Sequence, residues 1–140
     1  MIASLELNWL SRSEKSLILP VVVFTEKVTS YGGMYHTPRK GEVLIQEKYY
    51  PLDKGLIEIS THFNDDANSI AHEFRHHWQF LNGWKLQDGI PWDFSFSPEN
   101  YERNIKLYFT SSKSEMDAFL FQCKMTKSYT NDYWKSLIFS

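Results

Sequence analysis

The sequence predicts an α+β fold in which a small sheet comes first and helices follow. Two observations lead there. Short runs rich in branched residues, separated by glycine- and aspartate-containing turns, fill the first part of the chain. From Ala67 onward, apolar residues instead recur three and four apart, the spacing of one face of a helix.

Residues 4–17 read as a short helix or an irregular arm. Leu17–Phe24 is a first strand, Glu42–Gln46 a second, and Leu56–Ser60 a third with partial alternation. Gly32-Gly33 and Gly41 mark turns, His36 falls in a turn, and Asp53-Lys54-Gly55 leads into the third strand. Ala67, Ile70, Ala71, Phe74, Trp78 and Leu81 then trace the apolar face of a helix. Asn64-Asp65-Asp66 offers its N-cap and acidic first turn, and Asn82-Gly83 its stop. The stretch from Trp84 to Pro98 is irregular and aromatic, with Ile90, Trp92, Phe94 and Phe96; it reads as packing over the core, with a pocket-lining or lid role as the alternative. Pro98 sits at the first position of a helix reaching about Tyr108. Another helix runs from Ser112 to about Lys127, with Met116, Phe119, Leu120 and Cys123 at helical spacing. The tail beyond Ser128 carries Tyr129, Tyr133, Trp134, Leu137, Ile138 and Phe139, too apolar to float free, and should dock on the domain or on a partner chain.

Composition narrows the function. The 140 residues fit one domain, residues 1–140, with enough apolar and aromatic side chains for a core. A net charge of −2 argues against a nucleic-acid surface, which is usually basic. The lone Cys123 excludes an internal disulfide and a cysteine-rich zinc ribbon, and is most simply a small core residue. No secretory signal and no apolar run of membrane-spanning length is visible, so the expectation is a soluble, cytoplasmic protein without membrane contact.

The stretch that speaks of chemistry is His72-Glu73-Phe74-Arg75-His76, an H-E-x-x-H run inside the well-delimited helix. Residues four apart stand on one helix face, so both imidazoles can reach one metal ion. Glu73 projects at the rim, where it can hold and deprotonate a water rather than bind the metal. Zinc is the expected ion, since neutral imidazole suits it and a tetrahedral site with three protein ligands keeps a fourth position open. Glu115 is the favoured third ligand, with Ala118 one turn later allowing close approach of the two helices. Ser112-Lys113-Ser114-Glu115 also reads as a capping box, in which Glu115 would only serve its own helix end. Asp117 is the competing ligand, or else accepts a hydrogen bond from a ligating histidine.

An H-E-x-x-H helix followed by a second helix with E-x-x-A resembles the gluzincin zinc metallopeptidases in their smallest, single-domain forms. More specifically it resembles small metallopeptidases, often phage- or mobile-element-encoded, that read H-E-x-R-H-x-x-Q and later E-x-D-A-x-x-F. Here these are His72-Glu73-Phe74-Arg75-His76-His77-Trp78-Gln79 and Glu115-Met116-Asp117-Ala118-Phe119-Leu120-Phe121. The likeness covers about residues 64–122, and the preceding strands loosely; Lys113 and Ser114 stand where such proteins often have a proline. It implies a zincin-like fold, a small twisted sheet followed by an active-site helix and C-terminal helices. It also implies zinc ligation by His72, His76 and Glu115, Glu73 as general base and acid, and an edge strand that pairs with an extended peptide.

The remaining candidates are placed more coarsely. His77 is expected on the flank, beside the site or at the surface, and His62 in a solvated loop from which it could meet a substrate carbonyl. Arg75 is expected to pair with an acid of the second helix. Tyr101, Tyr108, Tyr129 and His62 are the conceivable donors to a developing oxyanion. The function expected is a zinc-dependent hydrolase, a metallopeptidase acting on a peptide or protein substrate. The alternative is a catalytically silent binding or regulatory module with structural zinc, contacting a protein partner through the aromatic loop or the C-terminal tail.

Overall fold

Leu56–Ser60 (β5) is the middle strand of a three-stranded sheet in the computed structural model, which describes residues 19–26, 32–45, 47–61, 66–86 and 98–140. Val21–Thr25 (β1) pairs with it in parallel, Val21 opposite Leu56, and Gly33–His36 (β2) pairs antiparallel on the other side, Gly33 opposite Ile59. A separate antiparallel hairpin joins Val43–Ile45 (β3) to Lys48–Tyr50 (β4). The expected third strand is observed with the same limits, and the first two are found as β1 and β3. Leu17, Ile18, Gln46, residues 4–17, His62 and most of the aromatic stretch, residues 87–97, lie outside the described residues.

Two strands depart from the expectation. Gly33 is not in a turn but opens β2, and His36, expected in a turn, closes it. A Cβ on Gly33 would stand 3.0 Å from Glu73 Cγ and 3.2 Å from the Glu58 carbonyl oxygen. Glycine is there because strand and helix approach too closely for a side chain, a signal that sequence reading assigns to turns. β4 is three exposed residues, too few to show a period.

Among the described residues four helices follow: Asp66–Leu81 (α1), Pro98–Ser111 (α2), Lys113–Met125 (α3) and Tyr129–Ile138 (α4). α1 ends as expected, with Gly83 at φ +78° and the Trp84 and Gly83 amides donating to Gln79 O (2.9 Å) and Phe80 O (3.1 Å). That pair of bonds satisfies carbonyls the helix end would leave open. Ser112 caps α3 by accepting from the Glu115 amide, and Ser128 caps α4 by accepting from the Asn131 amide. The apolar tail is this helix, docked by Ile138, Leu137 and Trp134 against the α2 and α3 residues Ile105, Phe109 and Phe119; Tyr129 and Phe139 stay exposed.

α1 lies between two neighbours. Ala71 and Phe74 pack on Ile57 and Ile59 of β5 together with Phe121 of α3, and this cluster covers one face of the sheet. Ala118, fully buried, faces α1 from α3 as the spacing predicts. The buried residues of α1 are nonetheless mostly polar: Asn68, Glu73, His76, His77 and Gln79 alongside Ala71 and Phe74. No helix among the described residues is long and apolar enough to cross a membrane.

Candidate metal centre

The four-residue spacing on α1 sets His72 and His76 edge to face with ring centroids 4.8 Å apart, and the first turn of α3 brings Glu115 onto both. His72 Nε2 is 2.9 Å from Glu115 Oε2, His76 Nε2 is 3.0 Å from Glu115 Oε1, and the two Nε2 atoms are 3.2 Å apart. One ligand atom from each residue lies within 4.8 Å of the others, so this trio could hold a metal ion. Tetrahedral ligands at about 2.0–2.1 Å from zinc would stand roughly 3.3 Å from one another, close to the triangle seen here.

The capping-box ambiguity resolves by division of labour. The Glu115 amide takes the Ser112 cap (3.2 Å), while its carboxylate turns to the two histidines. Asp117 touches neither imidazole. It accepts from Arg75 Nε (2.8 Å) and from Gln79 Nε2 (2.8 Å), so the Arg75 ion pair is as expected, with the guanidinium stacked 3.9 Å over the Trp78 ring. His77 is neither at the metal trio nor at the surface: it is buried, with Nδ1 2.9 Å from the Tyr35 hydroxyl. α1 is covered by β2 on that flank, which a one-helix reading does not reveal. His36 pairs with Glu58 (2.5 Å) on the sheet and takes no part.

Glu73 is buried beside the trio. Its carboxylate accepts the Tyr35 backbone N–H of β2, and burial, with the nearby Glu115 charge, holds its pKa above the usual range against the pull of the histidines. Glu115 moves the other way. Burial alone would raise it, but the hydrogen bonds and charges of His72 and His76 outweigh that and depress it strongly. In His72 and His76 burial disfavours the charged ring, yet the hydrogen bonds and charge of Glu115 prevail and raise both, His76 to about 9. Acidic and basic groups this close leave the centre hungry for positive charge, met by protons or by a metal.

Of the candidate oxyanion donors, Tyr108 alone among the described residues reaches the centre. Its hydroxyl hydrogen-bonds Glu115, and burial together with the charges of Glu115 and Glu73 raises its pKa. Tyr101 packs into the α2–α4 cluster and Tyr129 is 83% exposed. Three residues that shape the site carried no expectation, Tyr35, Gln122 and Asn131, and a fourth, Gln79, entered only as a position of the motif. The one available signal was polar residues, Asn68, His72, His76 and Gln79, recurring along a single helix stripe.

No protein-family model, curated protein or solved structure is significantly similar to the chain.

Proposed function

We propose that the protein is a zinc-dependent hydrolase, a metallopeptidase in which His72, His76 and Glu115 hold the ion and Glu73 is the general base. The observation that carries this reading is the convergence of three metal-ligand atoms at 2.9, 3.0 and 3.2 Å with a buried, proton-avid carboxylate on the same helix. The order of sheet, H-E-x-x-H helix and glutamate helix supports a zincin-like arrangement. A bound zinc ion supplies Lewis acidity, polarising a carbonyl and making water acidic enough to ionise near neutral pH. In this reading Glu73, buried beside the trio on the same helix, would take a proton from water and return it to a leaving nitrogen. The Tyr108 O–H, which hydrogen-bonds Glu115, would be the donor to negative charge developing on a substrate oxygen. Among the described residues β2 lies at one edge of the sheet, with its Tyr35 N–H bonded to Glu73, and pairing of an extended peptide along that edge is part of this reading.

The test is Glu73→Gln. Zinc content and fold should be retained while peptide hydrolysis falls by on the order of 10²–10⁴; undiminished turnover would end the proposal. A second reading, a silent binding module with structural zinc, draws on the exposed cross-strand pair Leu44 and Tyr49 of the hairpin, an apolar surface suited to a protein partner. Zinc retention with no hydrolysis of any peptide offered would favour it.

A further inference from the structure

Helix α1 turns two stripes of residues toward two neighbours. His72 and His76 meet Glu115 of α3. Ser69, Glu73 and His77, also spaced by four, meet the segment Gly32–Tyr35. Contacts along this second stripe run in step. A Cβ on Gly32 would stand 2.6 Å from Ser69 Oγ, and one on Gly33 would stand 3.0 Å from Glu73 Cγ. One turn further on, the Tyr35 hydroxyl is 2.9 Å from His77 Nδ1, with the two rings edge to face at 5.5 Å between centroids. The proposed chemistry uses Glu73 and leaves out Ser69 and the buried His77.

The register of β2 explains how the strand reaches Glu73. The Ser60 N–H donates to the Gly32 carbonyl at 2.8 Å, continuing the pairing in which Met34 faces Glu58. In an antiparallel pair, alternate residues turn N–H and C=O to the partner strand, and those between turn theirs away. Gly32 and Met34 therefore face β5, while Gly33 and Tyr35 point off the sheet. The Glu73 carboxylate accepts the Tyr35 N–H there. A backbone donor inside a strand has no rotamer to lose, so it fixes its partner more firmly than a side chain would. Tyr35 is also held at its far end, its hydroxyl 3.3 Å from the Lys54 carbonyl oxygen as well as on His77, and its ring beside Phe80. With one carboxylate oxygen taken by the strand, the other remains for a water.

We infer that Tyr35 is a positioning residue for Glu73: its backbone sets where the carboxylate stands, its hydroxyl on His77 locks that backbone to α1, and Gly33 leaves room for the approach. Strand β2 is then part of the site and not only a wall beside it. That the placed carboxylate acts as a base rests on the hydrolase reading above. Its attachment to Tyr35 does not.

The experiment is amide hydrogen exchange followed by ¹H–¹⁵N NMR on the zinc-free full chain of wild type, Glu73→Ala and Glu73→Gln. In wild type the Tyr35 amide should be protected as the Met34 amide is, although it faces away from β5. Glu73→Ala should lower Tyr35 protection about tenfold or more relative to Met34, the scale of a hydrogen bond to a charged group. Glu73→Gln, which keeps an acceptor oxygen, should retain most of it. An unprotected Tyr35 amide in wild type would overturn the inference, and that spectrum needs no variant to fold. Equal protection in wild type and Glu73→Ala would overturn it too. The catalytic consequence is read in zinc-loaded Gly33→Ala. There kcat should fall roughly 10²-fold with KM and zinc content unchanged, as for a reacting group displaced by about 1 Å. Tyr35→Phe, which keeps the N–H and loses the hydroxyl, should lower kcat by a smaller factor. Folded, zinc-loaded Gly33→Ala with wild-type kcat would contradict the positioning role. The expected exchange pattern in a chain that hydrolyses no peptide would uphold the link of Tyr35 to Glu73 and sink the reading of Glu73 as a base.

Discussion

The two sides of α3 are buried in opposite ways. Toward α2 and α4, Phe119 stacks with Phe109 (4.8 Å between ring centroids) and Trp134 (6.2 Å) in a cluster closed by Ile105 and Ile138. Toward α1, the same helix offers Glu115, Asp117 and Gln122 to His72, Arg75 and Gln79. The aromatic side needs no directional partner, tolerates small shifts and supplies stability by removing apolar surface from water. The polar side pays a desolvation cost for every group and persists only because each is met by a partner. One side of α3 therefore holds the fold and the other holds a chemical arrangement in place.

This contrast can be broken most forcefully at Phe119. Phe119→Ala should cost about 3–5 kcal/mol in urea unfolding. The folded fraction should still bind zinc with wild-type affinity, because no polar partner is lost. Weakened zinc binding in the folded fraction would show that the two sides are not separable.

Tyr108 sharpens the contrast because it belongs to both sides, its ring packed in the aromatic cluster and its hydroxyl on Glu115. Tyr108→Phe keeps the packing. Stability should change by only about 1 kcal/mol, the loss of one hydrogen bond. In steady-state assays kcat should drop roughly 10²–10³-fold with KM little changed, the pattern of a donor felt in the transition state. Unaltered kcat would reduce Tyr108 to a packing residue.

The smallest effect is the pH dependence of the zinc-free protein, which only the polar side should show. His72 and His76 are raised above the ordinary 6.5, so their contribution is complete below that pH and is lost as pH rises through the folded values, about 9 for His76. Glu115 is depressed below the ordinary 4.5, so its contribution is present above 4.5 and is lost as acid approaches its lower folded value. Thermal melts should thus be highest between these limits and decline toward alkaline pH. Zinc affinity should rise over that alkaline range as the metal displaces protons from the rings. A flat melting profile on the alkaline side would contradict the coupling of Glu115 to the histidines.

The same contrast explains what the sequence could tell. Apolar periodicity placed α1 and α3, Pro98 marked the start of α2, and the fixed spacing of His72 and His76 placed two candidate ligands on one face. Glu115 was legible as a candidate because a helix start at Ser112 put it in a first turn, but its capping role and its turn toward the histidines look alike until α1 is seen alongside. Gln79 was visible only as a position of the motif, without a role, and Gln122 and Asn131 were not legible. The role of an amide depends on which acceptor lies across a helix interface. β2 was hidden because Gly33 serves a close strand–helix contact rather than a turn, and α4 appeared only as an apolar tail because its docking face is set by α2 and α3.

The central claim is that His72, His76 and Glu115 form one metal centre. Elemental analysis of wild type and Glu115→Ala, purified identically and offered zinc, tests it directly. The predicted result is near-stoichiometric zinc in wild type and a large loss in the variant, with the zinc-induced rise in melting temperature lost as well. Equal zinc in both proteins, or none in either, would contradict it.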